Sequence, residues 1–192
     1  MKKKLFIVIS LIAMFLFTAN LYAQESSSRA GFQVGGYLPL GDWSDLVSAG
    51  IGGSALYNYK ITGNISLTAA IGYYNFPAKD ELGQELESIG NYSYTVVPFL
   101  AGLKAGFGPK DQAFQPYIGL ELGFFYSSFD YEVRISSGTI KGSESITPFG
   151  FAPAVGFTLK LGLDVSLDVN AKWAIAKDVN HLGINAGVMF RI

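Results

Sequence analysis

His181 is the single histidine of the chain, and cysteine is absent. Together these bound the covalent chemistry. Without thiols there are no disulfides, no thiolate metal sites and no cysteine nucleophile. A hydroxyl nucleophile needs a base beside it. Serine chemistry would therefore run through His181, with Asp178 to orient the ring and Ser127 or Ser128 supplied from another strand end. No serine adjoins His181 in sequence, and the plainer reading is a histidine at the end of a strand. Asp164 and Asp168 lie four residues apart. On a strand that places them on one face, about 13 Å apart, too far for a glycosidase pair. Ion pairing with Lys160 and Lys172 is the expected role. Asp80, Glu81, Glu85 and Glu87 could bind a divalent cation, but a solvated acidic loop accounts for them. The glycines recur at strand spacing with no helix after them, so no phosphate-binding loop is present. No catalytic residue, metal ligand or cofactor site is expected.

Composition says what kind of scaffold carries these residues. Charged residues make up 15% of the chain and aromatics another 15%; ordinary soluble domains are about 25% charged. Yet no unbroken apolar run after residue 23 is long enough for a membrane-spanning helix. The apolar residues are instead spread over many short segments. A formal net charge of −1 gives nucleic acid nothing to bind. The N-terminus has the form of an export signal. Lys2, Lys3 and Lys4 precede an apolar run from Leu5 to Phe17, and "TANLYAQ" offers Ala23 as the residue before a cut. Residues 1–23 are therefore expected to be a cleaved signal peptide and 24–192 the folded domain.

Within 24–192 the pattern alternates with period 2, the signature of strands whose side chains point to opposite faces. In "LDVSLDVNAKWAIA" (163–176), Leu163, Val165, Leu167, Val169, Ala171, Trp173 and Ile175 share one face, against Asp164, Ser166, Asp168, Asn170 and Lys172. The final segment sets Leu182, Ile184, Ala186, Val188 and Phe190 against His181, Gly183, Asn185, Gly187, Met189 and Arg191. Comparable runs occupy 96–107, 114–125 and 147–162, with weaker ones at about 30–40, 50–61 and 65–76. This predicts eight strands in an antiparallel up-and-down barrel. The connections "TGN", "GPKDQA" and Leu161–Gly162 are short. Those at 41–48, 77–91 and 134–145, with "KDVN" near the end, are polar and mostly longer. Short turns at one rim and long loops at the other mark a barrel that crosses a membrane.

Lys60, Lys104, Glu121, Lys160, Asp164, Asp168, Lys172 and Arg191 all fall on the face that carries Gly, Ser, Thr and Asn. A soluble, lipocalin-like barrel would turn its apolar face inward; a membrane barrel turns it to lipid and keeps a polar interior. The glycines favour the second arrangement, since on the charged face they make room inside a narrow barrel. So do Tyr57, Tyr59, Phe107, Phe114, Trp173 and Phe190, placed near strand ends of the apolar face as interfacial girdles. The eight ionic residues are then an interior network. Eight strands enclose a space that side chains just fill, so the expectation is a plugged barrel with no pore.

The export signal ending "NLYAQ", the segments "PYIGLELGFFY" and "TPFGFAPAVGF", and the terminal "GINAGVMFRI" resemble the outer membrane protein beta-barrel domain family, of the OmpX and OmpA transmembrane-domain type. The resemblance spans essentially all of 24–192. It implies a bacterial outer-membrane location. It also implies lipid and lipopolysaccharide as surroundings, with periplasmic chaperones and the barrel assembly machinery as partners in biogenesis. Such barrels often end in an aromatic residue; here the last is Ile192 and the nearest ring Phe190. The implied role is structural or surface-interacting, as a monomer. The alternatives are a narrow porin-like channel and a lipid-modifying barrel enzyme of the lipid A deacylase kind.

Overall fold

A computed structural model describes residues 28–79, 90–108, 112–135 and 138–192. The alternating segments form β1 (Ser28–Pro39), β2 (Gly50–Lys60), β3 (Ile65–Pro77), β4 (Gly90–Gly106), β5 (Phe114–Ile135), β6 (Gly138–Ile146), β7 (Phe149–Lys160), β8 (Val165–Ala176) and β9 (His181–Arg191). A short 3-10 turn, Gly41–Asp45, joins β1 to β2. Every pairing is antiparallel. The sheet closes because β1 pairs with β9 and β4 with β5.

Among the described residues, nine strands make eight staves. Both β6 and β7 lie along the same edge of β5, β6 on Ser127–Ile135 and β7 on Phe114–Phe124. Thr147 and Pro148 interrupt what is otherwise one stave. Proline has no N–H for the ladder, but its carbonyl still accepts from the Phe125 N–H at 3.0 Å. The polar stretch 134–145, expected as a loop, is therefore mostly hairpin, paired from Ser127–Ile146 out to Ile135–Gly138. Its polarity suggested a loop. The β-branched and aromatic residues of "FDYEVRI", with Thr139 and Ile140 opposite, suit a strand.

The two rims differ. At one lie both ends of the described barrel, Ser28 and Arg191, and the tight turns after β2 and β7. Those turns close in the same way, Ile61 N–H to Ile65 O at 2.9 Å and Leu161 N–H to Val165 O at 3.0 Å. By the topology of such barrels this rim faces the periplasm. At the other rim β4, β5 and β6 reach beyond their neighbours, and the connection between β1 and β2 folds inward.

The faces divide as the alternation requires. Outward apolar residues stay open, among them Ile51 at 75% exposure, Val34 at 65%, and Ile184 and Phe149 at 60%. A water-soluble barrel would bury such residues; here they form a continuous belt for lipid. Phe107, Phe114, Trp173 and Phe190 stand exposed on that face. Inward glycines let rings lie flat on the opposite strand. A Cβ on Gly183 would come within 2.7 Å of the Tyr37 ring, and one on Gly156 within 2.9 Å of Tyr117. In each case the tyrosine is the cross-strand partner of that glycine.

Candidate functional site: the lumen and its two mouths

The lumen is filled in layers. At its outer end, rings meet. Trp43 descends from the 3-10 turn and is 5% exposed; beneath it lie Tyr37, Tyr74, Phe76 and Phe125, all buried. Trp43 and Phe76 have centroids 4.5 Å apart, and Tyr37 stacks on Tyr74 at 3.9 Å. His181 sits among these rings, 5.6 Å from Tyr37 and Phe76 and 5.7 Å from Tyr74. Among the described residues, its buried Nδ1 has no hydrogen-bond partner. Asp178 is exposed, in the β8–β9 turn, with a positive φ of 60°. The orienting bond that a Ser–His–Asp arrangement requires is therefore not made. The Ser128 hydroxyl lies 3.4 Å from that of Ser143. His181 belongs to the aromatic cap.

Below the cap, charges cross the lumen. Lys172 of β8 meets Glu121 of β5 at 2.5 Å, and Thr68 of β3 donates to the other oxygen of Glu121 at 3.2 Å. One step lower, Lys104 of β4 pairs with Asp168 of β8 at 2.5 Å. Asp168 also accepts from the Tyr117 hydroxyl at 2.7 Å, and from Thr158 and Asn170 at 3.1 Å each. The Lys104 ammonium lies 3.5 Å from the centre of the Tyr117 ring. Among these hydrogen bonds and ion pairs, only those from Thr158 and Asn170 to Asp168 stay on the neighbouring strand or the same one. The others join strands that are not neighbours in the sheet. An amide ladder connects them to the cap. Asn170 donates to Gln33 at 3.1 Å, Asn185 donates to Asn170 at 3.0 Å, and the Tyr37 hydroxyl donates to Asn185 at 2.8 Å. Buried charges are tolerable only when paired and hydrogen-bonded in this way.

The eight ionic residues expected inside separate into three sets. Lys104, Asp168, Glu121 and Lys172 form the two mid-lumen pairs. Lys60 and Lys160 line the periplasmic mouth, around the same recess as Lys104. Asp164 and Arg191 stand on the rim, 3.8 Å apart, their side chains 70% and 48% exposed. The turn closed between Leu161 and Val165 starts β8 two residues later than the alternation suggests, which leaves Asp164 outside the wall. Among the described residues no cluster of carboxylates and imidazole suits a metal ion. Asp80, Glu81, Glu85 and Glu87 lie outside the described residues.

Arg29 is a lumen residue that the sequence pattern does not single out. It faces inward at the start of β1, donating to the Ser166 hydroxyl at 2.7 Å. A signal is present, since Arg29 has the parity of Gln33 and Tyr37. The first strand's alternation is too diluted by glycine to display it.

The model of the family described as outer membrane protein beta-barrel domain matches residues 9–191. No curated protein matches the chain. Among solved structures, a major outer membrane protein from Thermus thermophilus is similar with a TM-score of 0.62 at 10% identity, over 86% of this chain and 100% of that one. Ail, the attachment invasion locus protein of Yersinia pestis, has a TM-score of 0.57 at 13% identity, over 87% and 97%. Neisserial surface protein A has 0.55 at 14%, over 88% and 100%. At these identities the likeness carries the fold alone.

Proposed function

From the premise that this chain belongs to the outer membrane protein beta-barrel domain family and resides in the bacterial outer membrane, we propose that it is a non-conducting barrel. On this reading it is a structural anchor that presents its outer loops for surface interactions. The observation that carries it is the filled lumen: two ion pairs between strands that are not neighbours, beneath a cap of buried rings. An open pore needs a continuous water path, and both layers stand across it. The belt of exposed apolar side chains supports anchoring in lipid, with lipopolysaccharide at the outer leaflet. The outer ends of β4, β5 and β6, reaching beyond the wall, support a role outside it. Ail has been solved in complex with the heparin analogue sucrose octasulfate, which makes surface binding by a barrel of this architecture a reasonable role to test.

The test is recording in planar bilayers. The refolded mature protein is expected to give no steady current steps, and regular steps would establish the porin alternative instead. For the enzyme alternative, cells carrying His181→Ala should keep an unchanged lipid A mass profile; loss of a modified species would restore His181 to catalysis. Deleting 78–89 should leave the barrel folded and remove surface binding. On the same reading residues 1–23 are cleaved by the export machinery, and N-terminal sequencing of the membrane form should begin at Gln24.

A further inference from the structure

At the outer rim a cleft of about 540 Å³ lies between the outer ends of β4, β5 and β6 and two turns, Gly41–Asp45 and the one between β8 and β9. Small-molecule sites are commonly clefts of about 300–1,000 Å³. The strand register sets one wall. Tyr94 of β4 pairs with Phe129 of β5, and Phe129 with Glu144 of β6. Directly opposed residues share a face of a sheet, so the three stand in one row. The two rings stack, with centroids 4.5 Å apart and planes at 26°. Asp42 and Trp43 of the 3-10 turn, and Asp178 and Asn180 of the β8–β9 turn, also line the cleft. Its base is fixed: Trp43 and Ser127 are 5% and 6% exposed. The β8–β9 turn is tied down as well. The Leu40 N–H donates to the Asn180 carbonyl at 2.8 Å, and Trp173 Nε1 donates to the Asn180 side-chain oxygen at 2.8 Å.

The lining carries one sign of charge. It includes the carboxylates Asp42, Glu144 and Asp178 and, among the described residues, no lysine, arginine or histidine. All three carboxylates are exposed, and none makes an ion pair with a described residue. Lys79 donates to the Ser44 carbonyl at 3.4 Å and lies outside the lining. Like charges around a cleft with apolar walls focus the field inside it. The faces of the aromatic rings add negative potential of their own. The carboxylates are spread around a ring-lined space, not gathered as a metal site: among the described residues no such cluster occurs.

We propose that this cleft binds small organic cations, an ammonium group carried on an apolar body. Carboxylates and ring faces attract the charge, and Leu40, Leu46 and Ile146 of the lining cover the body. A neutral ligand of the same shape would leave three like charges uncompensated, and an anion would be repelled. The proposal goes beyond anchoring and rests on the surface-interaction reading only in placing the cleft outside the cell. Binding itself can be measured in detergent, where orientation plays no part.

The experiment uses the mature protein refolded in a maltoside detergent, which is uncharged. A gel band that shifts on boiling verifies the barrel for each variant. The probe is benzyltrimethylammonium chloride, titrated at constant ionic strength and followed by saturation-transfer NMR. Benzyl alcohol and sodium benzenesulfonate serve as its uncharged and anionic counterparts. The expected result is saturable binding of the cation alone. Asp42→Asn, Glu144→Gln and Asp178→Asn together should weaken it at least about tenfold, the sum of three exposed charge contacts. Tyr94→Leu with Phe129→Leu keeps apolar volume but removes the ring faces, and should weaken it at least about threefold. Asp164→Asn, at the periplasmic rim, should leave it unchanged. If the triple variant does not give a shifting band, Glu144→Gln alone carries the comparison, because that side chain is exposed; about threefold weaker binding is then expected. Selective binding that falls in the carboxylate and ring variants supports the site. Equal affinity for benzyl alcohol, no saturation by the cation, or full affinity in the carboxylate variant overturns it. Current steps in planar bilayers would overturn the non-conducting reading and leave this binding result standing.

Discussion

In the outer half of the lumen the side chains that meet are rings; in the inner half they are charges and amides. Trp43, Tyr37, Tyr74, Phe76 and Phe125 close the first by shape, surrounding an imidazole. Lys172, Glu121, Lys104 and Asp168 close the second by charge, each pair reaching between strands that are not neighbours. The two halves should fail differently. A cap of rings responds to lost or added volume. An ionic layer responds to a single unpaired charge, whatever its volume.

The largest effect is expected at Asp168. It accepts four hydrogen bonds, and Asp168→Ala leaves the Lys104 ammonium unmatched inside the wall. Removing one partner of a buried pair costs about 3–5 kcal/mol, to be read from urea unfolding in lipid vesicles followed by tryptophan fluorescence. A loss below about 1 kcal/mol would mean that water reaches the inner half and screens it. In the outer half, Phe76→Ala should cost about 3 kcal/mol through the cavity it leaves. That loss should be insensitive to salt; a strong salt dependence would erase the distinction between the halves. Next comes Gly183→Ala, whose Cβ would press on the Tyr37 ring. Overpacking of this kind costs about 1–3 kcal/mol, and Tyr37→Ala in the same chain should recover part of it. The smallest effect belongs to the rim. Arg191→Gln breaks an exposed pair and should change stability by at most about 1 kcal/mol.

The halves also differ in how far the sequence foretells them. Alternation along "LDVSLDVNAKWAIA" puts Asp168 and Lys172 on the inner face without any knowledge of their partners, because period 2 is a local property. Which lysine meets which acid is not local. Asp168 pairs with Lys104 of β4, not with the sequence-near Lys160 or Lys172, because the closed sheet brings β4 and β8 within reach of each other across a narrow lumen. The cap is not legible at all. Trp43 comes from a turn between strands, and no periodicity announces that a loop residue will fold back into the lumen. His181 stands out in the sequence as candidate chemistry and lies in the structure among rings of β1, β3 and β5, neighbours that no local pattern announces. The outer hairpin of β5 and β6 resembles a loop because its residues are polar. Polarity, however, is what a strand beyond the lipid belt requires.

The central claim is that charges paired across the lumen hold this barrel closed. It is tested most directly by a double-mutant cycle on Glu121 and Lys172, with unfolding free energies for Glu121→Leu, Lys172→Met and the two together. Each single change leaves one buried charge without its partner, whereas the double replaces the pair by apolar volume. The account predicts two costly single variants and a double variant that recovers most of the stability, a coupling on the order of 1–3 kcal/mol. Losses that simply add would mean that the two side chains do not sense each other, and would contradict it.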